Sequence, residues 1–468
     1  MKFLNRTEEL KRITNSLLKG NNLVILYGRR RIGKSTILQQ VIKGRDIYYL
    51  ADLQEDSLQK NELAKEIGDK INGFDSVIYP DWKSILTQLN ERNFKGTLCI
   101  DEFPYLVKQA PELPSIFQKL IDGKKISFNL LLCGSSQQIM KGLFLDSTTP
   151  LYGRANEILK ITAMDIYWLK ESLQLSAEEA VKEYSVWGGI PRYWELRNEF
   201  KSFDDAVRNL VLDPLGILHE EPIRLFMDEM RTAIQPMGIL TTIANGSNRL
   251  SEIAGRLGKP VTQMARPLQQ LIELNFIRRE TPFGENDKTA RKSLYKIDDP
   301  FLGFYFRFIS PNRSLLSMRL ISRVERIIKK NFSIYVSQFY EHLCRSSLYK
   351  MAINGLEIGE AKRWWGANTE REMMEIDIVA ETSDKKYLIA GEVKWSDNVN
   401  EEAELNKLIK KSRLLPFANG REIIPCLFVK KKTKNSYDGG FVFDANDVVK
   451  SEPHEVANNA LHGAVPVK

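Results

Sequence analysis

The stretch from residue 28 to residue 36 carries the most specific chemical pattern in the sequence. It reads Gly-Arg-Arg-Arg-Ile-Gly-Lys-Ser-Thr and fits G-x-x-x-x-G-K-[ST]. In this pattern the glycines allow a tight turn that directs successive backbone N–H groups at phosphate oxygens. The residues predicted to contact a nucleotide here are Gly28, Arg31, Ile32, Gly33, Lys34, Ser35 and Thr36.

Two side chains of this loop have distinct predicted roles. Lys34 is expected to reach the β- and γ-phosphates of ATP, and the Ser35 hydroxyl to hold Mg²⁺. The alternative is a chance glycine turn before a helix. The flanks favour a phosphate loop, because an apolar strand pattern at 23–27 precedes it and a helical pattern follows from Thr36.

A second apolar strand pattern ends in two carboxylates, Asp101 and Glu102. At the carboxyl end of a parallel strand these side chains would face the nucleotide. Asp101 suits a Mg²⁺ contact, and Glu102 suits the base that orients or deprotonates the attacking water. A solvated acidic turn is the alternative, and the phosphate loop earlier in the chain favours the catalytic interpretation.

A third apolar strand pattern, at 128–133, ends in Gly-Ser-Ser. Ser135 or Ser136 is a candidate for sensing the γ-phosphate or positioning the water, and a helix cap is an equal alternative for either serine alone. Arg154, which precedes a strand pattern at 157–162, is a candidate arginine finger that would stabilise charge on the transferred phosphoryl group. A surface arginine is the alternative, and a finger acting in trans would require a homo-oligomer.

A separate group of charged residues lies in the last third of the chain. Residues 374–380 and 387–394 have strand patterns, and the period of two places Glu392 and Lys394 on one face. Asp377 is expected to meet Glu392 across the hairpin. Two carboxylates and a lysine so placed would bind Mg²⁺ and activate a water for phosphodiester hydrolysis. An inactive relic or a surface salt-bridge cluster is the alternative.

Between these two groups, residues 232–300 show three helix patterns followed by two strand patterns, which is the order of a winged helix-turn-helix. In a DNA complex its third helix would enter the major groove. The cations near the wing and the phosphates would be Arg278, Arg279, Lys288, Arg291 and Lys292. The alternative is a packing role within an ATPase arm, since Arg266 is the only cation of the third helix. Both interpretations stay open.

The bulk properties limit the class of protein. The 468 residues exceed one ordinary hydrophobic core, and the formal net charge of +8 suits an acidic partner such as nucleic acid. The four cysteines are far apart and show no metal or disulfide spacing. The start of the chain lacks the apolar core of a signal peptide, and no apolar run reaches membrane-spanning length, so we expect a cytoplasmic protein without a membrane partner.

Four of these patterns together resemble the archaeal-type ATPase family, a group of AAA-like P-loop ATPases. They are the phosphate loop, Ile-Asp-Glu at 100–102, Cys-Gly-Ser-Ser at 133–136 and Leu-Tyr-Gly-Arg at 151–154. The resemblance implies ATP handling and a parallel sheet of about five strands with helices on both faces. The start of the chain is similar to the N-terminal arginine motif of the family, which packs near the adenine, and this similarity adds Arg6 to the site.

The charged group near the end of the chain resembles the PD-(D/E)XK nuclease fold. In that resemblance Glu341, on a helix predicted around 337–344, is the first acid. The C-terminal domain of the archaeal-type ATPase family is often described as one of unknown function with this nuclease-like signature.

These patterns predict an α/β protein in which a P-loop ATPase sheet flanked by helices is followed by a helical lid, a winged helix-turn-helix and a restriction-endonuclease-like α/β domain. The predicted segments are the ATPase core at 1–165, the lid at 166–225, the winged helix at 226–305, a linker helix at 306–330, the nuclease-like domain at 331–450 and a tail at 451–468. The predicted function is an ATPase that acts on nucleic acid, with DNA favoured. The alternative is a nucleotide-switched regulator or scaffold with a silent nuclease-like domain.

Overall fold

The computed structural model describes residues 4–230, 232–287, 289–290, 292–351 and 353–450. Within these residues, one compact unit extends to Ala163 and includes Ile190–Tyr193 and Arg224–Thr232, and the other residues form a second unit. The predicted tail lies outside the described residues, as do Lys288 and Arg291 of the predicted wing.

The first unit is built on a five-stranded sheet with the order β2-β3-β4-β1-β5. Its strands are β1 Leu23–Gly28, β2 Ile47–Leu50, β3 Thr97–Asp101, β4 Asn129–Gly134 and β5 Glu157–Ile161. All neighbouring strands are parallel, so their carboxyl ends lie at the same edge of the sheet. Strands β1, β3 and β4 are buried along their whole length, as expected for parallel strands covered on both faces. This confirms the predicted parallel sheet.

Seven α-helices of the first unit, in the described residues up to Ala163, precede or connect these strands. They are α1 Thr7–Lys19, α2 Lys34–Val41, α3 Asp56–Gly68, α4 Trp82–Glu91, α5 Phe103–Gln109, α6 Leu113–Asp122 and α7 Gln137–Phe144. Their apolar faces pack on the sheet through large, fully buried side chains such as Trp82, Phe103 and Phe117. Each such side chain contributes about 1.5–3 kcal/mol relative to its exposed state, and the rigid core fixes the edge where the strands end.

Five further α-helices lie in the described residues between 164 and 232. They are α8 Ile166–Leu173, α9 Ala177–Trp187, α10 Pro191–Asn198, α11 Phe203–Val207 and α12 Glu221–Met230. The predicted lid at 166–225 is helical. Two short segments, Ile190–Tyr193 and Arg224–Thr232, belong to the compact unit of the five-stranded sheet. Tyr193 accepts a buried hydrogen bond from Arg29, and Glu229 accepts one from the backbone of Gln137. Sequence patterns do not register such contacts between distant segments.

The next elements occur in the order predicted for residues 232–300. Three helices, α13 Ile234–Ala244, α14 Leu250–Arg256 and α15 Ala265–Glu273, are followed by the strands β6 Ile277–Glu280 and β7 Leu294–Ile297. The two strands pair antiparallel, with Ile277 opposite Ile297.

The C-terminal part contains a six-stranded mixed sheet with the order β12-β13-β11-β10-β9-β8. Its strands are β8 Lys362–Ala367, β9 Met373–Glu381, β10 Tyr387–Lys394, β11 Glu422–Val429, β12 Ser436–Tyr437 and β13 Gly440–Phe443. The accompanying helices are α16 Pro300–Phe304, α17 Arg313–Ser317, α18 Ile321–Ser347, α19 Glu401–Ser412 and α20 Ala445–Val448.

The predicted linker helix at 306–330 is wrong as a single element. Short helical turns occupy the first part, where Pro311 starts a new turn, and α18 then continues without a break through the predicted boundary at 330. The buried stripe of α18 explains its length, because Val324, Ile328 and Val336 repeat at helical spacing on both sides of that boundary. Among the described residues, no helix is both long and apolar enough to cross a bilayer.

Candidate functional site

The phosphate loop lies at the carboxyl edge of the five-stranded sheet, between β1 and α2. Gly33 has a φ of 95°, which favours glycine. At Gly28 a Cβ would lie 2.5 Å from the carbonyl oxygen of Ile161, so only glycine fits beside β5. The Lys34 side chain is 6 % exposed and its Nζ donates to the carbonyls of Gly28 and Arg29 at 3.0 and 3.2 Å. The Lys34 side chain is therefore held inside the phosphate loop.

Two oxygen ligands suited to Mg²⁺ meet beside this loop. The Ser35 hydroxyl donates to Oδ2 of Asp101 at 3.0 Å, and the Tyr48 hydroxyl donates to the same atom at 3.0 Å. Asp101 is 1 % exposed. A hydroxyl and a carboxylate at this distance fit Mg²⁺, which is usually held by one or two protein oxygens together with substrate phosphates and water. Tyr48 was not identified from the sequence, because a tyrosine in an apolar strand pattern is expected to be a core residue. Burial, followed by the charge of Asp101, raises the pKa of Tyr48.

Glu102 is positioned by an unusual backbone conformation and by Ser135. Its φ of 53° is left-handed, which costs energy for a residue with a side chain. Its Oε2 accepts hydrogen bonds from the backbone N–H of Ser135 at 3.1 Å and from the Ser135 hydroxyl at 2.7 Å. The carboxylate predicted to act as base and the serine predicted to sense the γ-phosphate are thus directly bonded. Ser136 is the N-cap residue of α7, but its side chain makes no capping bond.

Arg6 lies beside the same edge of the sheet. Its guanidinium donates to the backbone carbonyl of Thr162 at 2.7 Å and to Glu9 at 3.0 Å, and the residue is 6 % exposed. Thr162 directly follows β5, whose last residue pairs with Gly28. The predicted adenine-side arginine is therefore near the start of the phosphate loop.

Arg154 lies at the opposite end of the strands, where β1 and β5 begin. The backbone N–H of Asn156 bonds to the carbonyl of Leu23, the first residue of β1, whereas the phosphate loop follows the last residue of that strand. The Arg154 guanidinium binds both carboxylate oxygens of Asp122, at 2.8 and 2.9 Å. Six residues of strand separate the two ends by about 20 Å. Arg154 therefore does not reach the phosphate loop of its own chain.

If Arg154 is an arginine finger, it acts on the site of a second copy. We expect the rate of ATP hydrolysis per chain to rise with protein concentration, and Arg154→Ala to lower the rate at high concentration by about 10³-fold, as loss of a trans finger does. Arg12→Ala is the control, because Arg12 also pairs with a carboxylate, Glu157, near the start of β5. A rate per chain that is independent of concentration, with wild-type turnover in Arg154→Ala, would leave Arg154 as a surface residue.

The C-terminal charged residues meet where β9 and β10 pair. The register places Gly391 opposite Ile378, and the next residues along, Glu392 and Asp377, are adjacent. The backbone N–H of Val393 donates to Oδ2 of Asp377 at 2.9 Å. Burial, with the nearby charges of Glu392 and Glu341, raises the pKa of Asp377 to about 7. The three predicted acids therefore interact electrostatically.

Lysines neutralise part of this acidic group. Lys394 Nζ lies 2.9 Å from Oε1 of Glu392, and Lys411 Nζ from α19 lies 3.1 Å from Oε2. Arg345 of α18 donates to the backbone carbonyl of Asp377 at 3.0 Å. Lys411 and Arg345 were not identified from the sequence, because nothing in their local pattern connects them to strands β9 and β10.

Glu341, on the same helix as Arg345, is half-buried. Burial raises the pKa of Glu341, and the cations Arg345, Lys296 and Arg363 oppose that rise. Among the described residues, no group of three or more histidine, cysteine, aspartate or glutamate side chains has a geometry ready to hold a metal ion. The carboxylates are thus close together without forming a complete ligand set.

The hairpin cations predicted to face phosphates are bonded within the chain. Arg278 donates to Glu280 at 2.8 Å and to Asp298 at 3.2 Å. Arg279 donates to backbone carbonyls of the hairpin loop at 2.8 and 2.9 Å. By contrast, Lys292 and Arg266 are exposed. The hairpin arginines therefore stabilise the loop itself.

These features together define a P-loop ATPase. They are a parallel sheet with a phosphate loop after its first strand, a serine and an aspartate at a position suited to Mg²⁺, and a glutamate beside them. Residues 3–196 match the model of an ATPase domain predominantly from Archaea, and residues 305–407 match a family described as Archaea bacterial proteins of unknown function. The chain belongs to the archaeal-type ATPase family.

A relative and two solved structures are similar to the chain. An uncharacterized protein of Methanocaldococcus jannaschii is 31 % identical, covering 95 % of this chain and 99 % of the relative. The Walker-type ATPase of Pyrococcus abyssi superposes with a TM-score of 0.50 at 23 % identity, over 65 % of this chain and 96 % of that chain. The ORC2 protein of Aeropyrum pernix has a TM-score of 0.39 at 16 % identity, over 67 % of this chain and 93 % of that one. The Pyrococcus likeness supports the fold.

Proposed function

We propose that this ATPase acts on DNA, and that the acidic group of strands β9 and β10 hydrolyses phosphodiester bonds with the help of Mg²⁺. The observation that carries the proposal is the convergence of Asp377 and Glu392 beside Lys394. A helical acid, Glu341, lies within electrostatic reach of the same position. Two acids and a lysine at adjoining positions are the groups that such hydrolysis requires.

The electrostatics of this group favour a cation ligand. Burial and the charges of Glu392 and Glu341 hold the pKa of Asp377 near 7, which means that its ionised form is destabilised. A divalent cation bound by Asp377 and Glu392 would offset that repulsion, polarise a phosphate oxygen and lower the pKa of a bound water.

The protein groups would then divide the work. Asp377 and Glu392 would supply carboxylate oxygens, and Lys394, which already contacts Glu392, would place its positive charge near the attacking water or the phosphate. Lys411, which contacts the other oxygen of Glu392, would hold that carboxylate in orientation. Glu341 would receive or relay a proton, because burial raises its pKa.

DNA is favoured as the acidic partner by charge and by the hairpin segment. The net charge of +8 attracts a polyanion. Helices α13, α14 and α15 with the hairpin β6–β7 have the element order of a winged helix, whose third helix would lie in the major groove. Arg266 on α15 and Lys292 beside the hairpin are exposed cations suited to phosphate contacts, whereas Arg278 and Arg279 would serve the hairpin fold.

A regulatory ATPase with a silent C-terminal domain is the second candidate, and one observation favours it. Both carboxylate oxygens of Glu392 are already bonded to lysines, at 2.9 and 3.1 Å. A salt-bridge cluster of this kind stabilises a fold without catalysis. The two candidates differ in whether Mg²⁺ binds at Asp377.

The test measures Mg²⁺-dependent cleavage of double- and single-stranded DNA by the full chain, with and without ATP. We expect Asp377→Asn to lower cleavage by at least about 100-fold and to abolish the rise in melting temperature that Mg²⁺ causes in the wild type. The fold should survive, because asparagine removes a repelled charge and keeps the side-chain shape. Glu381→Gln is the matched control, since Glu381 lies at the far end of β9 and pairs with Arg421.

Two results would decide against the nuclease. The first is an absence of Mg²⁺-dependent cleavage under all nucleotide conditions, with a melting temperature that Mg²⁺ changes equally in wild type and Asp377→Asn. The second is cleavage that persists unchanged in Asp377→Asn, which would point to a contaminating enzyme. Cleavage of RNA in place of DNA would support the proposed phosphodiester hydrolysis and would contradict DNA as the substrate.

A further inference from the structure

A buried carboxylate at the phosphate-loop edge has no part in the chemistry described above. Glu229, near the end of α12, is 3 % exposed. Its Oε2 accepts a hydrogen bond from the backbone N–H of Gln137 at 2.9 Å, and the N–H of Gln138 also bonds to the carboxylate. The Glu229 carboxylate therefore lies at the amino terminus of α7, close in sequence to Ser135, which follows β4.

This carboxylate replaces the ordinary cap of the helix. Ser136 is the N-cap residue of α7 and is 8 % exposed, and its Oγ has no hydrogen-bond partner in the part of the chain that the structure describes. A serine in that position usually accepts a bond from the first turn. Here the first-turn N–H groups are taken by Glu229, which is 92 residues away from Gln137 in the sequence. The segment that carries Glu229 is thus held at the nucleotide edge.

The groups that stabilise the charge of Glu229 are those that attract phosphate. Within the described residues Glu229 forms no ion pair, and the Lys34 charge and the hydrogen bonds at the terminus of α7 are what favour its ionised form. Glu229 also interacts electrostatically with Lys160 of β5. Burial outweighs these contributions and raises the pKa of Glu229 to about 7. A helix terminus and a phosphate-loop lysine are common partners of anionic ligands.

The neighbouring residue fixes the same segment to the phosphate loop. Asp228 accepts a hydrogen bond from Arg30 at 2.8 Å. Arg30 is one of the variable positions of the loop motif, so Asp228 contacts the phosphate loop while Glu229 contacts the first turn of α7. A change in the charge at the loop therefore acts on both contacts of this segment.

We propose that Glu229 is a specificity-determining residue that lowers the affinity of the site for ATP relative to ADP, and that it leaves the terminus of α7 when ATP binds. The proposal rests on the ATP chemistry of this family. The Lys34 charge stabilises the ionised form of Glu229. The γ-phosphate of ATP would bring a competing negative charge to Lys34, and ADP lacks that phosphate. Like charges in a partly buried site repel, so ATP competes with Glu229 and ADP does so less.

The test compares the binding of ADP and of a non-hydrolysable ATP analogue to Glu229→Gln by calorimetry. Glutamine keeps the side-chain size and can still accept the Gln137 N–H bond, so it removes the charge alone. We expect the analogue to bind about tenfold more tightly than to wild type, with ADP changed by less than about twofold. Met227→Gln is the control, because Met227 is on the same helix and 53 % exposed.

The ratio of the two affinities separates this role from a structural one. A packing defect would change ADP and analogue binding alike, and such a parallel shift, or no shift at all, would overturn the proposal. Hydrogen exchange of the wild-type chain provides a second measurement that needs no variant. Backbone amides in 224–230 should exchange faster with the ATP analogue than with ADP, and equal exchange in the two complexes would also overturn it.

Discussion

Replacement of Lys34 by alanine is expected to remove detectable ATP binding while the first unit stays folded. The Lys34 ammonium lies inside the phosphate loop, bonded to the carbonyls of Gly28 and Arg29, and it is the cation expected to reach the β- and γ-phosphates. Its loss should weaken ATP binding by at least about 100-fold, or about 2.7 kcal/mol. Calorimetric titration with ATP measures the change.

The fold of Lys34→Ala should change little. Two carbonyls lose a donor, which costs about 1–3 kcal/mol, and the core of the sheet is untouched. Lys43→Ala is the matched control, because Lys43 follows the same helix and its ammonium also binds a backbone carbonyl, that of Gln40. ATP affinity unchanged in Lys34→Ala, or lost equally in Lys43→Ala, would contradict the assigned role of Lys34.

Glu102→Gln should bind ATP normally and turn it over about 10²- to 10⁴-fold more slowly. The amide keeps the shape of the side chain and can accept the bonds from Ser135, but it cannot take a proton from water. Ser35 and Asp101 are unchanged, so Mg²⁺ and nucleotide should bind as before. Single-turnover hydrolysis after pre-binding of ATP separates chemistry from affinity.

The control for this variant is Glu112→Gln, which removes an exposed carboxylate at the start of α6 in the same unit. Wild-type turnover in Glu102→Gln would move the base elsewhere. A loss of ATP affinity equal to the loss of rate would show that Glu102 acts on binding and not on the chemical step.

The sequence was sufficient for the sheet of the first unit because its strands are local and apolar. Two of these strand patterns end in polar residues, and parallel strands bring such ends to one edge, so the presence of Asp101, Glu102 and Ser135 at the edge of the phosphate loop followed from pattern and topology. The hydrogen bonds of Asp101 with Ser35 and of Glu102 with Ser135 are known only from the structure. The adjacency of Asp377 and Glu392 followed in the same way from a period of two and a short turn.

The contacts that the sequence did not predict join segments distant along the chain. Nothing in the helical pattern around Glu229 indicates a carboxylate that caps a helix 92 residues away. Nothing in the local pattern around Tyr193 indicates its hydrogen bond with Arg29 of the phosphate loop. Lys411 and Arg345 were missed at the C-terminal acids for the same reason. Such pairings depend on the packing of whole elements and not on local periodicity.

The hairpin loop also affects how the C-terminal sheet meets other molecules. Strand β8 is the edge of that sheet, and the backbone N–H of Phe283, in the loop after β6, bonds to the carbonyl of Arg363 on this strand at 2.9 Å. Pro282 beside it offers no N–H, and Lys362 of the strand is paired with Asp287 of the same loop. Exposed strand edges promote pairing between chains, and coverage, proline and charge each discourage it. The loop therefore helps to protect the sheet against self-association and amyloid-like growth.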